Sequence, residues 1–354
     1  MDILINIFSF LFIITILVVI HELGHFVAAK SIGLKVEKFY VGFNLFGLGI
    51  KKQINETEFG IGLFPIGGYV KVSGMIDESL DEQYNGEDYE YISKNMLQKV
   101  WFTSGGVIFN FILAFILFSG ITFFNGRSIP ENSTIIGEVV ADQPAYLSGM
   151  INGDKIISID DFYVNNWDDI KNQVHAKPNQ NIYLQYDRDG EIISSTILTS
   201  SMLIPSGDSI GVIGIRPNFD IIQPSFAGSL YYGLNDLVGW LSIMSQSIIS
   251  FFTGNLDIKN FGGPIQIASV AGEATKVGII ALVNLMAVLS VNLGIINILP
   301  FPGLDGGHAL IAIIEGAIGR RIPFKTLMVI QQVGVLFLIL FFFIIMKNDI
   351  SRLF

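Results

Sequence analysis

Long apolar runs alternate with polar segments along this chain, and the runs have the length of membrane-spanning helices. A helix that crosses the hydrocarbon core needs about 20 mainly apolar residues. Three runs meet this length, and a fourth contains asparagines but no charged residue. The four predicted spans are about residues 3–28, 100–124, 277–299 and 327–346. The pattern therefore predicts a polytopic α-helical membrane protein.

A fifth apolar stretch, residues 230–252, is interrupted by polar side chains such as Asn235 and Asp236. A helix of this composition either lies in the membrane interface or crosses the membrane as a further span. We favour the interface, because a fifth span would upset the orientation predicted for the helices that follow.

Basic residues near the span ends predict this orientation. They follow the first span, precede the second and precede the last: Lys30, Lys35, Lys38, Lys94, Lys99, Arg320, Arg321 and Lys325. Cytoplasmic loops are enriched in lysine and arginine. These flanks are therefore expected in the cytoplasm, and the segment between spans two and three outside it. Lys347 and Arg352 argue weakly for the opposite orientation.

The segment between the first two spans is rich in glycine and aromatic residues. Alternation over residues 59–64 indicates a strand. Irregular backbone at membrane depth is tolerated only when it is buried in protein or faces a water-filled cavity. We therefore expect a β-type re-entrant loop beside the functional site, followed by a solvated acidic loop over residues 77–90.

Residues from about 133 to 217 have the pattern of a water-soluble, β-rich domain. Short apolar runs alternate with charged residues and are separated by Gly and Asn turns. A resemblance to the PDZ (α+β) domains appended to bacterial proteases is carried by VVADQPAYLSGMINGDKIISIDDFYVNNWDDIKNQV. PDZ folds accept an extended peptide along a strand edge. The domain would either select substrates or limit access as a steric plug.

Three parts are thus expected along the chain. Residues 1–130 form an N-terminal membrane part with two spans and the re-entrant loop. Residues 131–219 form an inserted, extracytoplasmic PDZ domain. Residues 220–354 form a C-terminal membrane part with the interfacial helix and the last two spans.

Composition narrows the possible functions. The chain is 51% hydrophobic and only 15% charged, against about 25% charged residues in soluble domains. A net charge of -10 without a basic cluster argues against nucleic acid as a partner. Because the chain has no cysteine, any metal must be held by imidazole and carboxylate groups.

An HExxH motif lies at the end of the first predicted span, as His21-Glu22-Leu23-Gly24-His25. On a helix, residues four apart share a face, so both imidazoles are placed to bind one zinc ion. Glu22 projects beside that ion, where it can accept a proton from the attacking water. Two histidines and a glutamate in a lipid-facing helix are costly unless metal or function offsets their desolvation. The motif therefore predicts a zinc protease.

One further protein ligand is expected, since a catalytic zinc usually takes three and leaves one position open. Two candidates, Asp305 and His308, lie in NLGIINILPFPGLDGGHAL. Pro300 and Pro302 break the third span there, at the cytoplasmic end where the first span also ends. Asp305 is thus expected at the depth of the HExxH motif. His308 is the commoner ligand type and lies three residues away, so the segment itself leaves both open.

An ordered set of motifs resembles the site-2 proteases, specifically the bacterial regulator-of-sigma-E type of intramembrane zinc protease. The set comprises HELGHF, PIGGYVKVSG, GGVIFNFILA, the PDZ-like run, FGGPIQIA and NLGIINILPFPGLDGGHAL. It covers nearly the whole chain, and its order is more specific than any one motif. Several members carry two tandem PDZ domains, whereas the segment here accommodates one.

The resemblance implies proteolysis within the membrane. It implies one Zn2+ per chain, held by His21, His25 and Asp305, with Glu22 activating water. It also implies a substrate-binding role for Asn297 and Asn292 and a re-entrant strand at Gly67, Gly68, Tyr69 and Val70, and it assigns Gly106 and Asn110 to a GxxxN-type packing element. A protease needs an extended substrate backbone, and such a strand edge could pair with it.

The expected partners are the lipid bilayer and single-span membrane proteins already trimmed by a site-1 protease, including anti-sigma factors and signal-peptide remnants. The expected location is the bacterial cytoplasmic (inner) membrane, with the active site toward the cytoplasm. The alternative function is a non-catalytic receptor or chaperone that binds partners through the PDZ domain. A metal transporter is less favoured, because the polar residues cluster at one depth and do not line a path.

Overall fold

Nine α-helices, a short 3-10 helix (Tyr91–Ser93) and fourteen strands are found in the part of the chain that the computed structural model describes, residues 2–44, 49–75, 86–204, 206–255 and 262–352. The helices are α1 (Asp2–Ser31), α2 (Met96–Asn125), α3 (Pro144–Leu147), α4 (Trp167–His175), α5 (Phe226–Phe252), α6 (Pro264–Val277), α7 (Ile279–Ile298), α8 (Asp305–Ile318) and α9 (Phe324–Ser351). The strands are β1 (Val36–Phe43), β2 (Gly49–Ile54), β3 (Thr57–Gly62), β4 (Phe64–Val72), β5 (Arg127–Pro130), β6 (Ile136–Val139), β7 (Lys155–Ile159), β8 (Phe162–Tyr163), β9 (Asn181–Arg188), β10 (Glu191–Leu198), β11 (Ser200–Leu203), β12 (Ser209–Val212), β13 (Ile215–Pro217) and β14 (Phe219–Ile222).

Four of the described helices, α1, α2, α7 and α9, are long and apolar enough to cross a membrane. They coincide with the four predicted spans, so that prediction is confirmed. Residues 230–252 do form a helix, α5, but it is not among these four. Its place at the membrane interface stays a prediction. Most of the predicted acidic loop, residues 77–85, and the first residue of FGGPIQIA lie outside the described residues.

The membrane helices pack through small and aliphatic side chains around α1. Ile13 and Leu17 of α1 are 1% exposed and share a cluster with Ala271 of α6 and with Leu282 and Met286 of α7. Burying these side chains against protein fixes the face that α1 turns inward. His21 and His25 follow Ile13 and Leu17 at intervals of four residues along α1, so both histidines lie on the same buried face of the helix.

An unexpected contact joins the end of the chain to α6. Asp349 of α9 is 2% exposed, and its carboxylate accepts hydrogen bonds from the backbone N–H groups of Gly263, Ile265 and Gln266 at 2.9 to 3.2 Å. The first N–H groups of a helix have no partner within it, and a negative charge is favourable there. Asp349 therefore caps α6 from a distant part of the sequence.

A four-stranded sheet fills the segment between α1 and α2. Its strand order is β2-β3-β1-β4, with β1 parallel to β3 and the other pairs antiparallel. Phe39 and Phe59 lie on one face, where Phe26 of α1 packs on both rings. Within the described residues no strand pairs with the second edge of β4. The predicted β-type segment is present, and its depth in the membrane stays a prediction.

A second compact unit contains β5 to β14 with α3 and α4. It has a four-stranded sheet in the order β10-β9-β7-β8. Its core is aliphatic and nearly inaccessible to solvent, and includes Ile136, Ile159, Ile182, Leu184 and Ile213. The β-rich domain expected over residues 133–217 thus has its own core. Its limits at 131 and 219 and its assignment as a PDZ domain stay predictions.

A buried ion pair inside this unit gives a stability test. Arg188 donates to both carboxylate oxygens of Asp154 at 2.7 and 2.8 Å, and the Asp154 side chain is fully buried. Arg188→Ala leaves a buried carboxylate without its cation, so we expect the unfolding free energy to fall clearly more than it does when an exposed ion pair is broken. The control is Arg216→Ala, which breaks an exposed pair with Glu138 and should cost about 0–1 kcal/mol.

Hydrogen exchange of the core amides of this unit, measured in the full chain, reports both changes. Equal protection in the two variants would show that the Arg188 pair contributes no more than the exposed pair.

Candidate active site

Two distant helices bring three potential metal ligands together. His21 and His25 lie one turn apart on α1 and are 8% and 7% exposed. Asp305 is the first residue of α8, after α7 has ended at Ile298 and the chain has turned through its two prolines. His21, His25 and Asp305 each offer a ligand atom, and these atoms lie within 4.8 Å of one another.

The distances between the ligand atoms fit a zinc ion. His21 Nε2 lies 3.1 Å from Asp305 Oδ2 and 3.3 Å from His25 Nε2, and His25 Nε2 lies 3.3 Å from Asp305 Oδ2. Ligand bonds of about 2.0–2.1 Å at tetrahedral angles place neighbouring ligand atoms about 3.3 Å apart. Asp305 Oδ2 is buried and makes no hydrogen bond. A cation between these three atoms resolves that unsatisfied charge.

Helix α2 orients both histidines by contacting their Nδ1 atoms, on the side of each ring away from the Nε2 ligand atom. Phe102 O accepts a hydrogen bond from His25 Nδ1 at 2.9 Å, which leaves His25 Nε2 as the free ligand atom. The side-chain amide of Asn110 lies 3.0 Å from His21 Nδ1. Phe102 and Asn110 are eight residues apart, so they share one face of α2.

The Asn110 amide can complete this arrangement. A His21 that binds metal through Nε2 carries its proton on Nδ1 and needs an acceptor there. Asn110 Oδ1 is buried without a hydrogen-bond partner, while Nδ2 faces the ring. Turning the amide by 180° places Oδ1 opposite the Nδ1 proton, and amide oxygen and nitrogen are nearly equal in shape.

Gly106, midway between Phe102 and Asn110 on α2, makes room for the two imidazoles. A Cβ at this position would lie 2.5 Å from His21 Cε1 and 2.6 Å from His25 Nε2. Glycine is therefore required for α2 to approach the ligands this closely.

Glu22 lies against β4. The Val70 backbone makes a hydrogen bond to its carboxylate, and a Cβ on Gly68 would lie 3.2 Å from Glu22 Cγ. Successive strand residues face opposite sides of a sheet. Tyr69 therefore faces away from Glu22, and its ring stacks on Tyr40 with the centroids 5.2 Å apart. The structure thus brings Gly68 and Val70 to the site, but not the Tyr69 side chain.

The two asparagines expected to bind substrate are placed differently. Asn297 Nδ2 lies 3.4 Å from His21 Nε2. Asn292 precedes it by five residues, about 140° around the helix, and makes no side-chain hydrogen bond to the three ligands in the described chain. Asn297 belongs to the site by position, and Asn292 does not.

His308, the competing ligand, is directed elsewhere. It follows Asp305 by three residues, and its Nε2 lies 3.0 Å from the Gln331 amide of α9. It is not part of the His21, His25 and Asp305 cluster. The geometry thus favours Asp305 as the third ligand.

Comparison with known proteins identifies the family of the chain. The model of peptidase family M50 matches residues 9–341. The chain belongs to peptidase family M50.

Several relatives that align with nearly the whole length of this M50 peptidase are named as proteases. A putative zinc metalloprotease of Clostridium acetobutylicum is 31% identical over 95% of this chain and 94% of its own length. Zinc metalloprotease RasP of Geobacillus kaustophilus is 27% identical over 99% and 98%. The probable protease eep of Enterococcus faecalis is 28% identical over 99% of both chains.

One solved structure, the PDZ domain of an SdrC-like protein from Listeria monocytogenes, covers 25% of this chain and 90% of that domain. It is 19% identical with a TM-score of 0.22, which is too low to support an argument about the fold.

The family, its relatives and the four apolar helices together establish a membrane-embedded zinc metalloprotease. The predicted enzyme class and cofactor are confirmed. The roles of individual residues remain predictions, and two measurements test them.

The third ligand is tested by zinc content. Asp305→Ala removes one of three converging atoms, so the purified variant should lose most of its zinc, whereas His308→Ala should retain it. Metal analysis of both variants in parallel measures this. Zinc loss in the His308 variant alone would show that the ligand assignment is wrong.

The role of Asn110 is tested by zinc affinity. Asn110→Ala removes the group that orients His21, and loss of such a partner typically weakens metal binding by about 10- to 100-fold. The matched control is Ser290→Ala. Ser290 Oγ donates to the Asn110 backbone carbonyl at 2.7 Å, so Ser290 bonds to the backbone of Asn110 and not to the amide that faces His21. Competition with a chelator measures the zinc affinity of both variants. Equal affinities would show that Asn110 does not support zinc binding.

Proposed function

We propose that this chain is a site-2 type intramembrane protease that hydrolyses peptide bonds within or near the transmembrane segments of single-span membrane proteins. The observation that carries the proposal is the convergence of His21 Nε2, His25 Nε2 and Asp305 Oδ2 within 3.3 Å, with Glu22 beside them. The substrates include anti-sigma factors or signal-peptide remnants, already trimmed outside by a site-1 protease, in regulated intramembrane proteolysis.

The proposed roles follow from these positions. His21, His25 and Asp305 hold zinc, which supplies Lewis-acid polarisation when bound. A Glu22 carboxylate oxygen accepts a proton from the attacking water as the water oxygen bonds to the substrate carbonyl carbon. Glu22 then gives that proton to the departing amine nitrogen as the C–N bond breaks. The hydrogen bond from Val70 holds Glu22 in place for both transfers.

Substrate binding is assigned to the open edge of β4. A transmembrane helix must unwind before cleavage, because its carbonyl groups are engaged in internal hydrogen bonds. Backbone of Gly67, Gly68, Tyr69 and Val70 is placed to pair with the extended segment, and the Asn297 amide can receive a freed backbone group. Asn292 has no such position, which leaves Asn297 as the better-supported residue of the two.

The proposed setting is the bacterial inner membrane, with zinc toward the cytoplasm. In this arrangement, the β1–β4 sheet re-enters the membrane and α5 lies at the interface. The domain at 131–219, between membrane parts 1–130 and 220–354, is a PDZ domain outside the cytoplasm. This arrangement is supported by the basic residues beside the span ends and by the separate core of the β-rich unit.

Glu22→Gln tests the catalytic assignment. The amide keeps the size of the side chain but cannot accept the water proton, so cleavage should fall by at least about 10²- to 10⁴-fold while zinc content stays unchanged. Purified chain in proteoliposomes with a single-span substrate, with and without a chelator, measures both quantities.

Undiminished cleavage by the Glu22 variant would show that Glu22 is not the catalytic base. If the unmodified chain cleaves no membrane substrate but binds one through its β-rich unit, the receptor or chaperone function becomes the better account.

A further inference from the structure

A cavity of about 600 Å3 lies at the end of β4, apart from the three zinc-ligand candidates. One wall is formed by Lys71, Val72 and Ser73, the last residues of β4 and its continuation. The facing wall comes from α8 and α9 and includes His308 and Gln331. Its volume is within the range of about 300–1,000 Å3 typical of ligand sites.

The cavity lies at the C-terminal end of β4, the strand to which the proposed substrate segment would pair. Glu22, the proposed catalytic base, accepts a hydrogen bond from Val70, so the cleaved bond would lie near Val70 along β4. A strand rises about 3.3 Å per residue, so Ser73 lies about 10 Å further along the same direction. A substrate segment that pairs with β4 at Val70 therefore reaches the cavity about three residues from the cleaved bond.

The cavity contacts the turn that carries Asp305, but Asp305 itself does not line it. Asp305 and His308 are three residues apart on α8, so they project from neighbouring positions of one turn. His308 lines the cavity, whereas Asp305 faces His21 and His25. A segment that enters the cavity thus remains beside the catalytic groups.

The lining of the cavity is polar and mixed in charge. Lys35, Lys71, Lys99 and Arg321 line it together with Glu37, Glu90 and Glu315. Two of these charges, Lys99 and Glu315, form a largely buried ion pair at 3.0 Å, and the Lys99 ammonium also lies 5.3 Å from the Tyr91 ring centre. Polar peptide groups find partners on such walls, whereas an apolar helix would leave buried charges without solvation.

We propose that this cavity is the subsite for the polar flank of the substrate, the two to four residues that connect the cleaved bond to the aqueous phase. This inference rests on the proposed function. It adds a substrate requirement: the cleaved bond must lie close to the polar end of the transmembrane segment, with an extended polar flank that fits between β4 and α8.

Disulfide mapping tests the position of the flank, since the chain has no cysteine of its own. Ser73→Cys is combined with Glu22→Gln, so that substrate binds without being cut. Single cysteines are then placed at successive substrate positions on both sides of the bond. Crosslinking to Ser73→Cys should peak on one side, about two to four residues from the cleaved bond.

The matched control is Gln53→Cys on β2, the opposite edge strand of the same sheet, which should give no position-dependent crosslink. Crosslinks at Gln53→Cys but not at Ser73→Cys, or a flat profile at Ser73→Cys, would overturn the subsite.

Blocking the cavity gives a second, kinetic test. Leu327→Trp places a large ring in the α9 wall, whereas Val329→Trp changes a residue of the same helix that is 57% exposed. For a substrate with a full polar flank, Leu327→Trp should lower kcat/KM by about 10-fold or more. For a substrate whose flank is cut back to one residue, too short to reach the cavity, the same variant should change kcat/KM by less than about 2-fold.

Val329→Trp should leave both substrates within about 2-fold of the unmodified chain. Equal losses on the long and the short substrate would overturn the subsite. If the unmodified chain cleaves neither substrate, the proposed function itself fails, so the two failures are distinguishable.

Discussion

The arrangement of the membrane helices depends on the convergence of one buried carboxylate oxygen and two imidazoles, which form the proposed zinc site. Asp305 Oδ2 lies 3.1 and 3.3 Å from the histidine nitrogens and has no hydrogen bond. An uncompensated charge at such a position is costly, and zinc bound at the proposed site would remove this cost and join α1 to α8. The close approach of α2 and the turn before α8 both serve to make this junction possible.

The second constraint is the orientation of the ligands, which falls to α2. Phe102, Gly106 and Asn110 recur every four residues along one face of that helix and supply, in turn, an acceptor for His25, space for both rings and a partner for His21. This spacing explains why the GxxxN-type packing element contains a polar side chain as well as a glycine. The same helix face must both pack closely against α1 and orient the histidines.

The sequence predicted the elements that depend on local patterns. The spans follow from apolar length, and the histidine pair follows from helical spacing. Phe102 acts through its backbone carbonyl, which every residue type possesses, so no sequence signal could identify it. To choose between Asp305 and His308, one must know the directions of two side chains on one turn. The Asp349 cap depends on a contact between residues far apart in the sequence. Such long-range contacts leave no trace in periodicity.

The Asp349 cap also bears on how the protein is made. α6 packs against α1, yet the N–H groups at its start donate to Asp349, which follows them by 83 to 86 residues in the sequence. Asp305 likewise emerges long after the HExxH helix during synthesis, which runs from the N-terminus. A growing chain therefore contains the two histidines well before Asp305, so the proposed ligand set cannot assemble until residue 305 has been synthesised.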